Sequence, residues 1–302
     1  EINKMINQNI IFENQPRLYG VSSEGDNSKT IIKKREFTSC KKNDACPAWS
    51  MKSKKITHDK EKRQLMYENS ILNLYNVPVF YFPKFFHPDP TVKRQSGFLR
   101  PQLNSSKTLG TSFYLPYYHV ISDNKDYTFK PQIFDSEIEM FQNEYRQVNK
   151  NSIFIADFGI TSGYQSSLTG SNRNSIGHLF SNFDIDLNFE DYSKSELNFY
   201  FESVTNDTFL KVFQNNLIKS SVKPSSTSSL SSGFKLILDQ ENHNFDAGMQ
   251  VYETLSGAES DRYQYEFPYY SYSTTLLNEL ADGTFNFSSS GSNVLNNTNV
   301  LK

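Results

Sequence analysis

The sequence predicts an all-β protein in two parts, a first unit of short strands and a second of long alternating ones. Three observations predict it. Asn, Pro, Gly and Ser clusters punctuate residues 1–86 about every 8–12 residues, the rhythm of a sandwich, a jelly roll or a similar all-β unit. From residue 97 onward, apolar and polar residues alternate over runs longer than globular strands use. The third is composition: 25 Phe and 18 Tyr stand among 302 residues, in a chain of mean hydropathy −0.61. So polar a chain with so many aromatics does not read as disordered. It has no run of 18 apolar residues, hence no transmembrane helix. Barrel strands need only about ten alternating residues each and stay open as a way across a membrane.

In the first unit, strands are expected at Asn9–Phe12, Arg17–Val21, Thr30–Lys33, Ala48–Met51, Lys55–His58, Gln64–Tyr67 and Ile71–Tyr75. Val77-Pro78-Val79-Phe80-Tyr81-Phe82-Pro83 ends it with prolines inside an aromatic run. The Pro-rich stretch 87–96, beginning His87-Pro88-Asp89-Pro90, is the expected domain boundary.

Beyond it, Ser96-Gly97-Phe98-Leu99-Arg100-Pro101 and Tyr114-Leu115-Pro116-Tyr117-Tyr118 read as consecutive strands interrupted by proline. Proline donates no backbone hydrogen bond, so it belongs at a sheet edge or where pairing is meant to be weak. Pro101 and Pro116 therefore predict a weak seam. The cleanest alternation is 178–190. Leu179, Phe183, Ile185, Leu187 and Phe189 share one face; Asn182, Asp184, Asp186, Asn188 and Glu190 share the other. Thirteen residues at ~3.4 Å span about 44 Å, against ~17–20 Å in globular domains. A tilted strand that crosses a bilayer fits that length, with aromatics toward lipid and acids toward a wet lumen. Leu197, Phe199 and Phe201 then oppose Glu196, Asn198 and Glu202, and the 244–251 stretch repeats the pattern. The serine-rich 219–233 is read as a flexible linker or as a long loop entering another strand.

Chemistry is mostly absent. There is no G-x-S-x-G, H-E-x-x-H, P-loop or G-x-G-x-x-G. Five scattered histidines and the pair Cys40 and Cys46 do not make a zinc pattern, so no metal or cofactor is expected. Paired acids on alternating strands read as a wet face. Residues 1–94 carry 17 Lys/Arg against 10 Asp/Glu, and residues 95–302 carry 14 against 23. The positive part suits an anionic ligand or surface, or is simply a solvated face. No nucleic-acid partner is expected. The polar start Glu1-Ile2-Asn3-Lys4 lacks a leader pattern, and both ends read as cut, so an internal fragment or a trimmed precursor is expected.

Several ordered strings resemble the LptD family of LPS-assembly proteins, also called organic solvent tolerance proteins. They are Phe37-Thr38-Ser39-Cys40 with Pro47-Ala48-Trp49, Ile56-Thr57-His58-Asp59, Val77 to Pro83, Ser96-Gly97-Phe98-Leu99-x-Pro101, Leu115-Pro116-Tyr117-Tyr118, and Thr205-Asn206-Asp207-Thr208-Phe209-Leu210. The resemblance implies an incomplete periplasmic OstA-like jelly roll over 1–86, a connection over 87–96, and the first part of a large antiparallel transmembrane barrel over 97–302, about eleven strands by the same pattern. It implies a non-enzymatic outer-membrane protein that receives lipopolysaccharide from an LptA-like periplasmic bridge protein and holds an LptE-like lipoprotein plug. Pro101 and Pro116 would weaken a lateral gate. Ile10, Phe12, Trp49, Ile56, Met66 and Ile71 are the candidates to line the lipid path. Cys40 would pair with a cysteine beyond residue 302, with a local Cys40–Cys46 bond as the alternative. A passive porin-like channel and a soluble carbohydrate-binding β-sandwich are the rival readings.

Overall fold

The computed structural model describes residues 3–11, 17–38, 49–89, 91–92, 94–164, 175–217, 220–258, 261–278 and 283–296. Among the described residues the protein is β-stranded and antiparallel, with one short helix. It divides into two compact units, Glu1–Gln95 and Ser96–Lys302.

The first unit is a six-stranded meander in sequential order. Its strands are β1 (Asn3–Ile11), β2 (Arg17–Gly25), β3 (Lys29–Thr38), β4 (Trp49–Asp59), β5 (Gln64–Leu74) and β6 (Val77–Pro88). The expected strands at 48–51 and 55–58 are one strand, as are those at 64–67 and 71–75. Residues 52–54 sit within β4 rather than in a turn: a strand face open to water accepts Lys52 and Lys54, and Ser53 turns inward, where its hydroxyl lies 2.7 Å from that of Ser70. The β2–β3 turn is built by Asp26, whose Oδ1 accepts the backbone N–H groups of Ser28 at 2.8 Å and Lys29 at 2.7 Å. Those bonds hold its carboxyl down at about 2. Ile32, Met51, Ile56, Leu65 and Tyr67 form the core, with Trp49, Leu72, Phe82 and Phe85 packed against it.

The second unit is one antiparallel sheet. In chain order it holds β7 (Gly97–Phe98), β8 (Gln102–Ser106), β9 (Gly110–Tyr114), β10 (Tyr117–Ser122), β11 (Lys125–Phe134), β12 (Glu139–Asn149), β13 (Ser152–Ser162), β14 (Ser175–Asp186) and β15 (Lys194–Val204). Helix α1 (Phe209–Phe213) follows, then β16 (Ser229–Gln240), β17 (His243–Thr254), β18 (Tyr263–Asn278) and β19 (Gly283–Asn296). The long alternating strand is β14. It ends at Asp186, short of the expected Glu190, because Asn188 takes a left-handed φ of 52° and donates its N–H to Asp186 Oδ1 at 2.9 Å. Asparagine tolerates that conformation and makes such turns.

The longest connections gather at one end of the sheet. At the other lie the two-residue turns 123–124, 150–151 and 241–242 and the longer 187–193; opposite them lie 135–138, 163–174, 205–228 and 255–262. The serine-rich stretch belongs to the longest of these and leads into β16. There α1 buries Phe209, Leu210 and Phe213, which pack with Leu217, Phe134, Met140, Ile176 and Phe180.

No helix among the described residues is long and apolar enough to cross a membrane, which says nothing about strands.

Candidate functional site

The two faces of the second sheet invert the soluble pattern. On β11–β13 most residues turned to the covered face are polar: Asp126, Thr128, Lys130, Gln132, Gln142, Glu144, Asp157 and Thr161 are all buried, with Phe134 and Met140 apolar at one end. Most of the residues between them are apolar and half-buried or exposed. Lys130 is 3% exposed and Asp157 0%, whereas Ile133 is 52% and Ile160 59% exposed. A sheet folding in water would reverse these, since an unpaired buried charge is costly and exposed isoleucine gains nothing.

The buried charges are paired. Lys130 Nζ lies 2.8 Å from Glu144 Oε2 and 3.8 Å from Asp157 Oδ2. Asp157 also accepts from Gln142 Nε2 at 2.7 Å and pairs with His178 Nε2 at 2.9 Å. Arg146 Nε reaches Asp126 at 2.8 Å. This network was not foreseen. Its signal lies in the sequence, as charged, amide and hydroxyl residues at every second position of 126–132 and 142–146, a pattern that an ordinary wet face also shows.

At the free edge the ladder is broken at one level. β7 and β8 are two halves of a strand interrupted at Leu99-Arg100-Pro101. β9 and β10 are two halves of the next, interrupted at Leu115-Pro116. Below the break Tyr117 pairs with Phe98; above it Tyr114 pairs with Gln102. Three residues therefore face two, which is a bulge. Pro101 is exposed and Pro116 buried. The Pro116 carbonyl accepts Leu99 N–H at 2.8 Å, but proline has no N–H to complete the reciprocal bond.

A third proline lies at the same level. Pro131 on β11 accepts Leu115 N–H at a long 3.3 Å and likewise returns nothing. Its spacing from Pro116 equals that of Pro116 from Pro101, a signal the sequence carried and the reading passed over.

The lipid-path candidates are dispersed. Ile56 is fully buried core, Trp49 packs on that core, Met66 is half-buried and Ile71 is 40% exposed. Ile10 lies on β1. Phe12, Cys40 and Cys46 fall outside the described residues. On β6, Val77, Val79, Phe80, Tyr81 and Phe86 are exposed. That apolar strip on the last strand of the first unit was not among the candidates.

No family model matches the chain. Individual proteins do. The LPS-assembly protein LptD of Yersinia enterocolitica serotype O:8 is 36% identical over 122 residues, 40% of this chain. Its counterpart in Yersinia pestis bv. Antiqua is 37% identical over 117 residues, 39% of the chain. That of Escherichia coli strain K12 is 34% identical over 131 residues, 43% of the chain. Over that part the chain is similar to LptD proteins. The match spans only 15–16% of the length of these LptD proteins. Among solved structures, a crystal structure of OccD1 (OprD) aligns over 93% of this chain and 84% of its own, at 8% identity and a TM-score of 0.30. So loose a likeness carries no argument.

Proposed function

We propose that the chain is part of an outer-membrane translocon that inserts lipopolysaccharide into the outer leaflet through a lateral opening at the proline-broken edge. The observation that carries this is the break itself, on a sheet whose open face is apolar and whose covered face is charged. The similarity to LPS-assembly proteins supplies the substrate.

On this reading the apolar face of the second unit meets lipid and the polar face lines a lumen. Short turns belong on the periplasmic side and long connections outside. The chain enters the sheet at β7 on the short-turn side, which fits a periplasmic first unit. That unit would take lipopolysaccharide from an LptA-like bridge, and an LptE-like lipoprotein would plug the lumen. Acyl chains would leave sideways while the sugar stays in the polar interior. Each backbone bond missing at the seam lowers its strength by roughly 0.5–1.5 kcal/mol net, and by more in lipid, where water does not replace it.

The test is Pro101→Ala with Pro116→Ala in the full-length protein. Restored donors should strengthen the seam and slow the appearance of new surface lipopolysaccharide at unchanged protein level. Unchanged export with normal levels removes the lateral opening and returns the passive channel.

A further inference from the structure

Between its base and its tip, hairpin β8–β9 is joined to the rest of its sheet by three register pairs and one side-chain bond, from Gln132 Nε2 to Ser112 Oγ at 2.7 Å. Five register pairs, Gln102↔Tyr114 to Ser106↔Gly110, tie its two strands to each other. Among the described residues β8 pairs with nothing else. β9 meets β11 through three pairs, Ser112↔Phe134 to Tyr114↔Gln132. At its base lies the proline row. Leu99–Pro101 and Leu115–Pro116 break both of its connections to β7 and β10, and Pro131 removes the reciprocal bond to Leu115 on the next strand.

Its tip, by contrast, is held by specific contacts. Asp135 donates its backbone N–H to the Thr111 carbonyl at 2.9 Å, and its carboxylate Oδ2 accepts Thr111 N–H at 3.0 Å. Ser136 Oγ donates to the Leu109 carbonyl at 2.9 Å. The Leu109 side chain, 2% exposed, is buried in the apolar cluster with Phe134 and Ile138. Gly110 makes the seat. Its φ is +79°, and a Cβ there would stand 2.0 Å from Asp135 Oδ1. Only glycine allows both that backbone and so close a carboxylate.

From this juxtaposition we propose that Gln102–Tyr114 is a hinged flap. It turns about the row Pro101, Pro116 and Pro131, and a latch of Leu109, Gly110, Thr111, Asp135 and Ser136 holds it shut. The proposal rests on the lateral-opening reading and adds to it. The movable part of the edge is the half-hairpin above the prolines, and its release is controlled from the tip rather than along the whole strand. A weak base alone would leave the hairpin loose; a strong tip alone would leave it fixed. Both together give two defined positions.

The experiment uses the full-length protein in its membrane. In the first arm Thr111→Cys and Asp135→Cys are combined and oxidised, closing a bond across the latch. A second pair, Phe98→Cys with Tyr117→Cys, bonds the strands below the hinge. The flap requires that the latch bond abolish delivery of new surface lipopolysaccharide, that reductant restore it, and that the lower bond have little effect. Full cross-linking of the latch with undiminished export overturns the flap. The lateral opening is judged separately by the Pro101→Ala and Pro116→Ala variant. In the second arm no disulfide is needed. Spin labels at Ser105 and Glu139 report the hairpin's distance from β12, with Asp135 native or changed by Asp135→Ala, and with Gly110 native or changed by Gly110→Ala. Either substitution should broaden the distance distribution toward longer values. Distributions identical to that of the unsubstituted latch overturn the proposal even where the cysteine pair fails to assemble.

Discussion

Leu179→Arg places a guanidinium in the middle of the apolar face. Leu179 is 42% exposed on β14, paired with Phe158 on one side and Ser203 on the other. It sits near the centre of its strand, whereas Leu187 lies beyond the strand's end and tests little. If the face meets lipid at mid-depth, arginine there costs about 2–4 kcal/mol. At about 1.4 kcal/mol per factor of ten, the folded population falls roughly 30- to 700-fold relative to unfolded protein. Asp186→Arg is the control. Asp186 is exposed on the polar face at the end of the same strand, where a charge keeps its water and costs about 0–1 kcal/mol. The assay is assembly of the full-length protein into lipid vesicles, read as heat-modifiable migration across a urea series. Leu179→Arg should shift the midpoint far below that of Asp186→Arg. Equal midpoints would refute the lipid-facing assignment and restore a soluble sandwich.

Three further predictions stand beside it, the first two from the structure and the third from the family resemblance. Lys130→Met removes the cation between Glu144 and Asp157; breaking a buried pair costs about 3–5 kcal/mol, and the lower end is expected because Gln142, His178 and Arg146 still reach those acids, so a loss much under that range by urea titration would show that the wall is wet. In the first unit, Tyr67 hydroxyl lies 2.6 Å from His87 Nε2 and His87 Nδ1 2.6 Å from the Pro88 carbonyl; burial first of all holds the His87 pKa below its ordinary value, so the unfolded chain binds the proton first and stability should fall as pH drops through about 6.5, followed by the fluorescence of Trp49 and absent in His87→Phe. Peptide mapping of the unreduced full-length protein should find Cys40 joined to a cysteine beyond residue 302; Cys40 joined only to Cys46 would end that assignment.

The parts of the fold legible in the sequence were those written in local chemistry. Period-two alternation at 178–186 and 244–251 gave the faces of β14 and β17, because a strand leaves a side chain no other choice of side. Pro101 and Pro116 marked breaks because a missing N–H acts wherever it stands. Residues 52–54 misled because lysine serves equally in a turn and on a wet strand face, and because serine is a turn residue that here is buried against Ser70. Asn188 ended β14 early through a left-handed turn that its neighbours Leu187 and Phe189 masked by continuing the pattern. The charged network was illegible for another reason. Whether Lys130 is solvated or buried depends on what covers it, and Glu144, Asp157 and His178 come from three other strands.

The buried charges and the proline row meet on β11, where Lys130 and Pro131 are neighbours, and together they divide its work. β11 meets β12 through nine consecutive register pairs, Lys125↔Gln147 to Ile133↔Glu139. Pro131 does not interrupt that ladder because its missing donor points the other way, toward Leu115. Lys130–Glu144 and Arg146–Asp126 add charge-assisted bonds across the same interface, stronger than neutral ones and less screened when buried. On its other edge β11 holds the lower half of the broken strand, β10, by five register pairs from Tyr117↔Phe129 to Ser122↔Lys125, and the upper half, β9, by three pairs and a side-chain bond from Gln132 Nε2 to Ser112 Oγ at 2.7 Å, with one long bond to Pro131 between them. One edge of β11 is thus fixed by both backbone and side chains, while the other is thinned at a single level. A strand pair meant only to be weak would lack donors on both sides. An edge meant to move needs a neighbour that does not, and β11 with β12 supplies it.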